Sequence, residues 1–172
     1  MMTSWHERTI EQRNLLNPAF CAVVLWHIAL GYRDEARSTQ SGETGLPLDL
    51  SFVGASLVLR GRTRSQLPGT IRTSLIAWLQ DHPLERSAIA RGVGILRPYV
   101  REAIIFGVHH GALTTAGPSL APMDSAKTKM TAYVKHSGPD VLDCARRGQF
   151  VGRWLQKNGT SATTLALLGL QP

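Results

Sequence analysis

Residues 84–122 have the outline of a winged helix, two short helices followed by a tight hairpin. Yet the segment placed to read DNA is mostly apolar: Pro98-Tyr-Val-Arg-Glu-Ala-Ile-Ile-Phe-Gly-Val-His-His110. A recognition helix needs donors and acceptors on its exposed face to meet base edges. This one offers Arg101, Glu102 and a histidine. The pattern therefore favours a protein-binding surface over a sequence-specific DNA reader.

The punctuation of the rest of the chain predicts a mainly α fold. Asn17 can cap a helix whose first position is Pro18, where a missing N–H costs nothing. That helix runs from Ala19 to about Ala36, and its first three turns are apolar almost all round, the mark of a central, surrounded helix. Residues 38–45 are polar with two glycines and read as a loop, and Pro47 restarts helix over Leu48–Leu59. Thr70 is expected to cap a helix over Ile71–Gln80. His82-Pro83 opens the next, to about Leu96. Pro98 should end it and begin another, because the residue before a proline avoids helical geometry.

Gly111 stops that second helix, and Ala112–Ala116, Gly117-Pro118 and Ser119–Ala121 read as strand, turn and strand. Residues 123–137 show only weak periodicity. Pro139 starts a long helix to about Lys157, Asn158-Gly159 ends it, and Thr160 caps a last apolar stretch over Ser161–Leu168. Ser4 and Glu7 have capping-box spacing, so a short helix is expected near the start. The expected architecture is an N-terminal extension (1–16), a helical winged-helix-like domain with a short hairpin wing (17–122), and a C-terminal helical segment packed on it (123–172).

Composition narrows the function. The chain has 172 residues with 43% apolar residues, enough for a core of ordinary size, but only 18% charged ones. A low charged fraction is consistent with surface reserved for partners. The net charge of +7 comes from 15 arginines against 4 lysines. Arginine suits bidentate contact to carboxylate and phosphate, so solubility alone and an acidic or nucleic-acid partner explain it equally well. The longest apolar run, Ala19–Leu30, is too short for a membrane span and is interrupted by His27, and no signal peptide is visible, which predicts a soluble cytoplasmic protein. Cys21 and Cys144 sit in apolar helical patterns and are expected as buried thiols, not as a disulfide.

No constellation makes a convincing active site, and no cofactor or metal is expected. His109 and His110 are adjacent, so on a helix they point about 100° apart and cannot face one metal ion. There is no HExxH, no CxxC, no Gly-x-Ser-x-Gly elbow, and Gly42-Glu-Thr-Gly45 lacks the ending of a phosphate loop. Any ATP chemistry must come from a partner. His27 reads as a hydrogen-bonded core histidine.

The best polar constellation is Arg60, Arg62 and Arg64 on an expected loop, with Arg72 beyond. They are candidates for phosphate or an acidic partner, weighed against an ordinary solvated loop. No aromatic residue interleaves with them, which argues against a platform for single strands. Gly148 and Gly152 share a helix face four residues apart and predict close helix contact, within the chain or across a dimer interface. Phe106 and Trp154 join them as candidates for core or protein interface.

One ordered series of segments carries a family resemblance. It includes Asn17-Pro-Ala-Phe20, Gly45-Leu-Pro-Leu48, the basic stretch 60–64, Leu75 with Trp78, Pro98-Tyr-Val-Arg-Glu-Ala103 and Phe106-Gly107. It ends with Gly152-Arg-Trp-Leu155 and Leu167-Leu-Gly-Leu-Gln-Pro172. This series resembles the middle component of bacterial three-component ABC-ATPase systems, and within these it looks like the middle subunit of Lamassu-type defence systems. Residues 1–16 and 123–137 carry none of it.

The resemblance implies a small, non-catalytic adaptor between an SMC- or Rad50-like ABC ATPase and an effector, often a nuclease, in defence against phage or plasmids. It implies DNA contact through the complex, no membrane contact, and room for a homodimer, and it assigns no catalytic residue. A free-standing winged-helix DNA-binding regulator is the alternative, and a small hydrolase has no motif behind it.

Overall fold

A computed structural model describes Thr9 and residues 16–171. The expected Ser4–Glu7 helix and most of the 1–16 extension lie outside the described residues. Helix α1 (Pro18–Ser38) starts as its sequence dictates. The Asn17 side-chain oxygen accepts from the Ala19 N–H at 2.8 Å, with proline in the first turn. Cys21 through Trp26, Ile28, Ala29 and Tyr32 are buried, so α1 is the central helix.

Strand β1 (Leu46–Pro47) leads directly into α2 (Leu48–Leu59), which is buried along most of its length. A short helix α3 (Gly61–Ser65) follows, then α4 (Leu75–Asp81) and the 27-residue α5 (Pro83–His109). The hairpin is β2 (Leu113–Ala116) and β3 (Ser119–Pro122), and a 3-10 turn at Asp124–Ala126 feeds α6 (Lys127–His136). The chain closes with α7 (Pro139–Lys157) and α8 (Ser161–Leu168).

The molecule is mainly helical with one small antiparallel sheet in the order β1-β3-β2, an arrangement compatible with a winged-helix-like core. Leu113 pairs with Pro122 and Leu46 with Leu120, and these three leucines are sealed from solvent. Gly117 takes φ +58°, the left-handed backbone its two-residue turn demands. Alternation along β3 buries Leu120 and Pro122 against the core, and α1 lies across this strand.

The largest interhelical contact joins α1 to α7. It depends on glycine. A Cβ at Gly152 would strike the Ile28 carbonyl oxygen and stand 2.7 Å from the Tyr32 nitrogen. One at Gly31 would strike the Gln149 carbonyl. At Gly148 the nearest atoms, His27 Cβ and the Val24 carbonyl, would lie 3.3 and 3.4 Å away. The two helix backbones thus touch along a seam that residues 139–157 share with the core of 17–122.

Three sequence expectations are corrected and one is extended. Pro98 does not break the chain into two helices; α5 runs straight through it. The N–H that Pro98 lacks would have gone to Gly94, which is exposed, so the carbonyl left without a donor can be hydrated. Residues 61–65 form α3 where a loop was expected.

Ser74, not Thr70, caps α4, accepting from the Ala77 N–H at 3.1 Å, while the Thr70 hydroxyl accepts from the Arg72 N–H in the preceding turn. Finally, Pro47 stands at the N-cap of α2 as expected, but it also belongs to a third strand that was not expected, set by the Leu48 N–H bond to the Pro118 carbonyl.

Candidate partner interface

The basic stretch does not stay together as a surface. Arg64 turns inward. Its Nε meets Asp143 Oδ2 at 2.7 Å, and its Nη1 donates to the Val58 carbonyl at 2.8 Å near the end of α2. Arg60 is half-buried, its Cδ beside Gly92 and its Nη1 enclosed without a hydrogen-bond partner among the described residues. Only Arg62, in the last turn of α3, and Arg72, in the turn before α4, are exposed. Arg64 thus serves the fold, tying α3 to α2 and α7, while Arg60 packs beside α5.

Of the four residues named for protein contact, three are internal. Gly148 and Gly152 form the α1–α7 seam described above. Trp154 is completely buried; its indole N–H donates to the Thr73 carbonyl at 2.6 Å and its ring meets Trp78 edge-on at 5.5 Å. These positions pack the chain against itself and are not on its surface. Phe106 is half-buried, stacks on His110 with centroids 3.9 Å apart, and lines an apolar groove of about 310 Å³ with Ala19, Val23, Met130 and Tyr133.

The cysteines are free and buried, as expected. Burial, helped by the neighbouring Cys144, pushes the Cys21 thiol up to about 12, which removes it from thiolate chemistry at neutral pH.

His27 departs from the expected hydrogen-bonded histidine, because neither ring nitrogen has a partner among the described residues. Its ring stands edge-on to Trp26 at 5.0 Å, and burial holds it neutral down to about pH 4. The sign of the consequence is fixed. The unfolded chain takes up this proton near pH 6.5, whereas the native state resists until about 4. Stability is therefore lost as pH falls from about 6.5 to 4 and the effect levels off below. The loss is about 2 kcal/mol after discounting for partial exposure. Urea titrations at pH 7 and pH 4.5 should resolve it, and His27→Leu should abolish most of that difference. An equal pH dependence in the variant would assign the acid sensitivity to other groups.

Among the described residues, the outward face of α5 presents a long apolar and basic surface, which the apolar 98–110 segment only partly disclosed. Arg91, Gly94, Pro98, Arg101, Ile105 and Val108 recur at alternating spacings of three and four, so they form one stripe along the helix. Leu84 and Ile105 are each 70% exposed and Ile95 62%. Arg86, Arg91, Arg97 and Arg101 are all exposed, and none is in an ion pair among the described residues. The opposite face carries Ile89, Val93, Leu96, Val100 and Ala103 into the core. Alpha-helical geometry thus forces a second, apolar and basic face into solvent.

Among the described residues no group of three or more histidines, cysteines or carboxylates is arranged to hold a metal ion. No helix among them is long and apolar enough to cross a membrane.

Comparison with known proteins agrees with this frame. Residues 5–172 match the family described as ABC-three component (ABC-3C) system Middle Component 3. The match extends across 5–16 and 123–137, which carry none of the motif series. No curated protein and no solved structure matched the chain. A match over nearly the whole length settles the family: the chain belongs to the Middle Component 3 family of ABC-three component systems, and is an accessory subunit of a multi-component ABC system with ABC ATPase partners.

Proposed function

We propose that this chain is a non-catalytic adaptor linking an SMC- or Rad50-like ABC ATPase to an effector subunit, often a nuclease, in cytoplasmic defence of the Lamassu type against phage or plasmid DNA. The observation that carries the reading is the outward face of α5. It presents large apolar side chains, and guanidiniums in no ion pair among the described residues, on a single 27-residue helix. Exposed apolar groups of this size gain free energy only by being covered. The apolar groove beside Phe106 is a second, smaller contact surface. Of the four arginines at 60–72, Arg62 and Arg72 are the exposed ones, placed to approach phosphate when the complex meets DNA.

The test is co-purification of the full chain with the ATPase and effector encoded alongside it, washed first at low and then at high salt. Retention of both through high salt is expected, because an apolar interface resists screening. In the same complex, Arg62→Glu with Arg72→Glu should weaken duplex retention and flatten its salt dependence by about two phosphate contacts. Unchanged DNA retention would remove these arginines from the reading. A chain that elutes alone and holds duplex DNA in a salt-dependent manner would replace the adaptor by a winged-helix regulator.

A further inference from the structure

We infer that the outward face of α5 is the seat of one acidic, amphipathic helix supplied by the ABC ATPase partner. This inference rests on the adaptor reading and adds to it the surface used and the chemistry of what binds there.

The face has a helix-shaped imprint. The stripe residues, exposed except for the half-buried Pro98, repeat with the three-and-four spacing of a coiled-coil seam, so a second helix can follow them without leaving the stripe. From Arg91 to Val108 the stripe is about 26 Å long at 1.5 Å per residue, which calls for a partner helix of about five turns. Gly94 lies mid-face with nothing within 4 Å of where a Cβ would stand, so a partner backbone can come close at that point. Ile95 and Ile105 then offer apolar knobs to either side of Arg101.

Charge selects the occupant. Arg91 and Arg101 are exposed, in no ion pair among the described residues, and ten residues apart, about 15 Å along the helix. Carboxylates at matching positions on a partner would meet them and make bidentate contacts.

A second copy of this chain fits poorly. An antiparallel copy centred between the two would set Arg91 against Arg101, and a parallel copy would set each arginine against itself. Duplex DNA fits poorly as well. Ile95 and Ile105, 62% and 70% exposed, would be pressed toward phosphates with no apolar surface to cover them.

The experiment uses the full chain and the intact ATPase, produced together. Two exposed double variants, Arg91→Glu with Arg101→Glu and Ile95→Asp with Ile105→Asp, should each weaken ATPase binding at least tenfold. The thermal midpoint of the chain should stay within a few degrees of the parent. A photo-crosslinking amino acid at Ile105 should label a segment of the ATPase with carboxylates on one face and apolar residues beside them. Charge-reversing those carboxylates to lysine should restore binding to the Arg91→Glu, Arg101→Glu chain.

If the parent chain binds the ATPase and both variants bind it equally well, the α5 seat is wrong and the adaptor reading stands. If the parent binds no ATPase, the adaptor reading falls and the seat with it. Crosslinks to a second copy, to DNA, or to a basic segment of the ATPase each overturn the acidic-helix assignment.

Discussion

Replacing Gly152 by alanine is expected to prevent the chain from folding. A single added methyl would have to occupy the space held by the Ile28 carbonyl oxygen while standing 2.7 Å from the Tyr32 nitrogen. Both neighbours are backbone atoms of α1, so no side chain can rotate away. The helices must separate along the largest interhelical contact in the molecule, which also carries Gly31 and Gly148. Ordinary overpacking costs about 1–3 kcal/mol. Here the cost should exceed about 4 kcal/mol, a large share of the 5–15 kcal/mol that holds a typical domain together.

The same substitution elsewhere gives the control. At Gly94, in the exposed interior of α5, nothing lies within 4 Å, so Gly94→Ala should stabilise the chain by roughly 0.5–1 kcal/mol through helix propensity. Gly148→Ala should fall between the two, with contacts of 3.3–3.4 Å that small shifts can relieve. Far-ultraviolet circular dichroism and thermal melts of the three variants check the order. A well-folded Gly152→Ala chain with the parent's melting point would mean that the α1–α7 seam has slack.

Much of this architecture was legible because it is written in local chemistry. Helix α7 begins at Pro139 and ends at Lys157, and α8 spans Ser161–Leu168, both as their caps and glycines predict. The apolar girdle of α1 announced a central helix for the same reason.

What stayed hidden depends on distant partners. Helix α6 buries only Val134, so it leaves no apolar stripe to read. The fate of Arg64 depends on Asp143, 79 positions away, and no local pattern reveals that pairing. The segment at 98–110 reads alone as a deficient recognition helix, but its outward face is a continuous stripe because Pro98 lies inside α5. The spacing Arg91, Gly94, Pro98, Arg101, Ile105 was present in the sequence throughout. The expectation of a break at Pro98 divided it.

Trp154→Ala should lower the melting temperature of the isolated chain by about 6–20 °C, and this decides whether Trp154 serves the core or a partner. The indole is completely buried, edge-on to Trp78 and stacked near Phe150, with its N–H on the Thr73 carbonyl. It therefore ties the end of α7 to the turn before α4. The neighbouring Asn158 repeats the tie, accepting from the Leu75 N–H at 2.7 Å.

Truncation removes the ring's apolar burial, opens a cavity between two tryptophan sites, and leaves the Thr73 carbonyl without its donor. Buried Trp→Ala changes cost about 3–5 kcal/mol. For a domain of this length each kcal/mol lowers the midpoint by about 2–4 °C. Trp154→Phe should recover part of the loss by refilling the cavity without restoring the hydrogen bond. A residue whose business was contact with another chain would behave oppositely, since its removal would leave the isolated protein's melt unchanged and weaken only the complex. Differential scanning calorimetry of the chain alone separates the two, and a midpoint within 2–3 °C of the parent would return Trp154 to the list of interface residues.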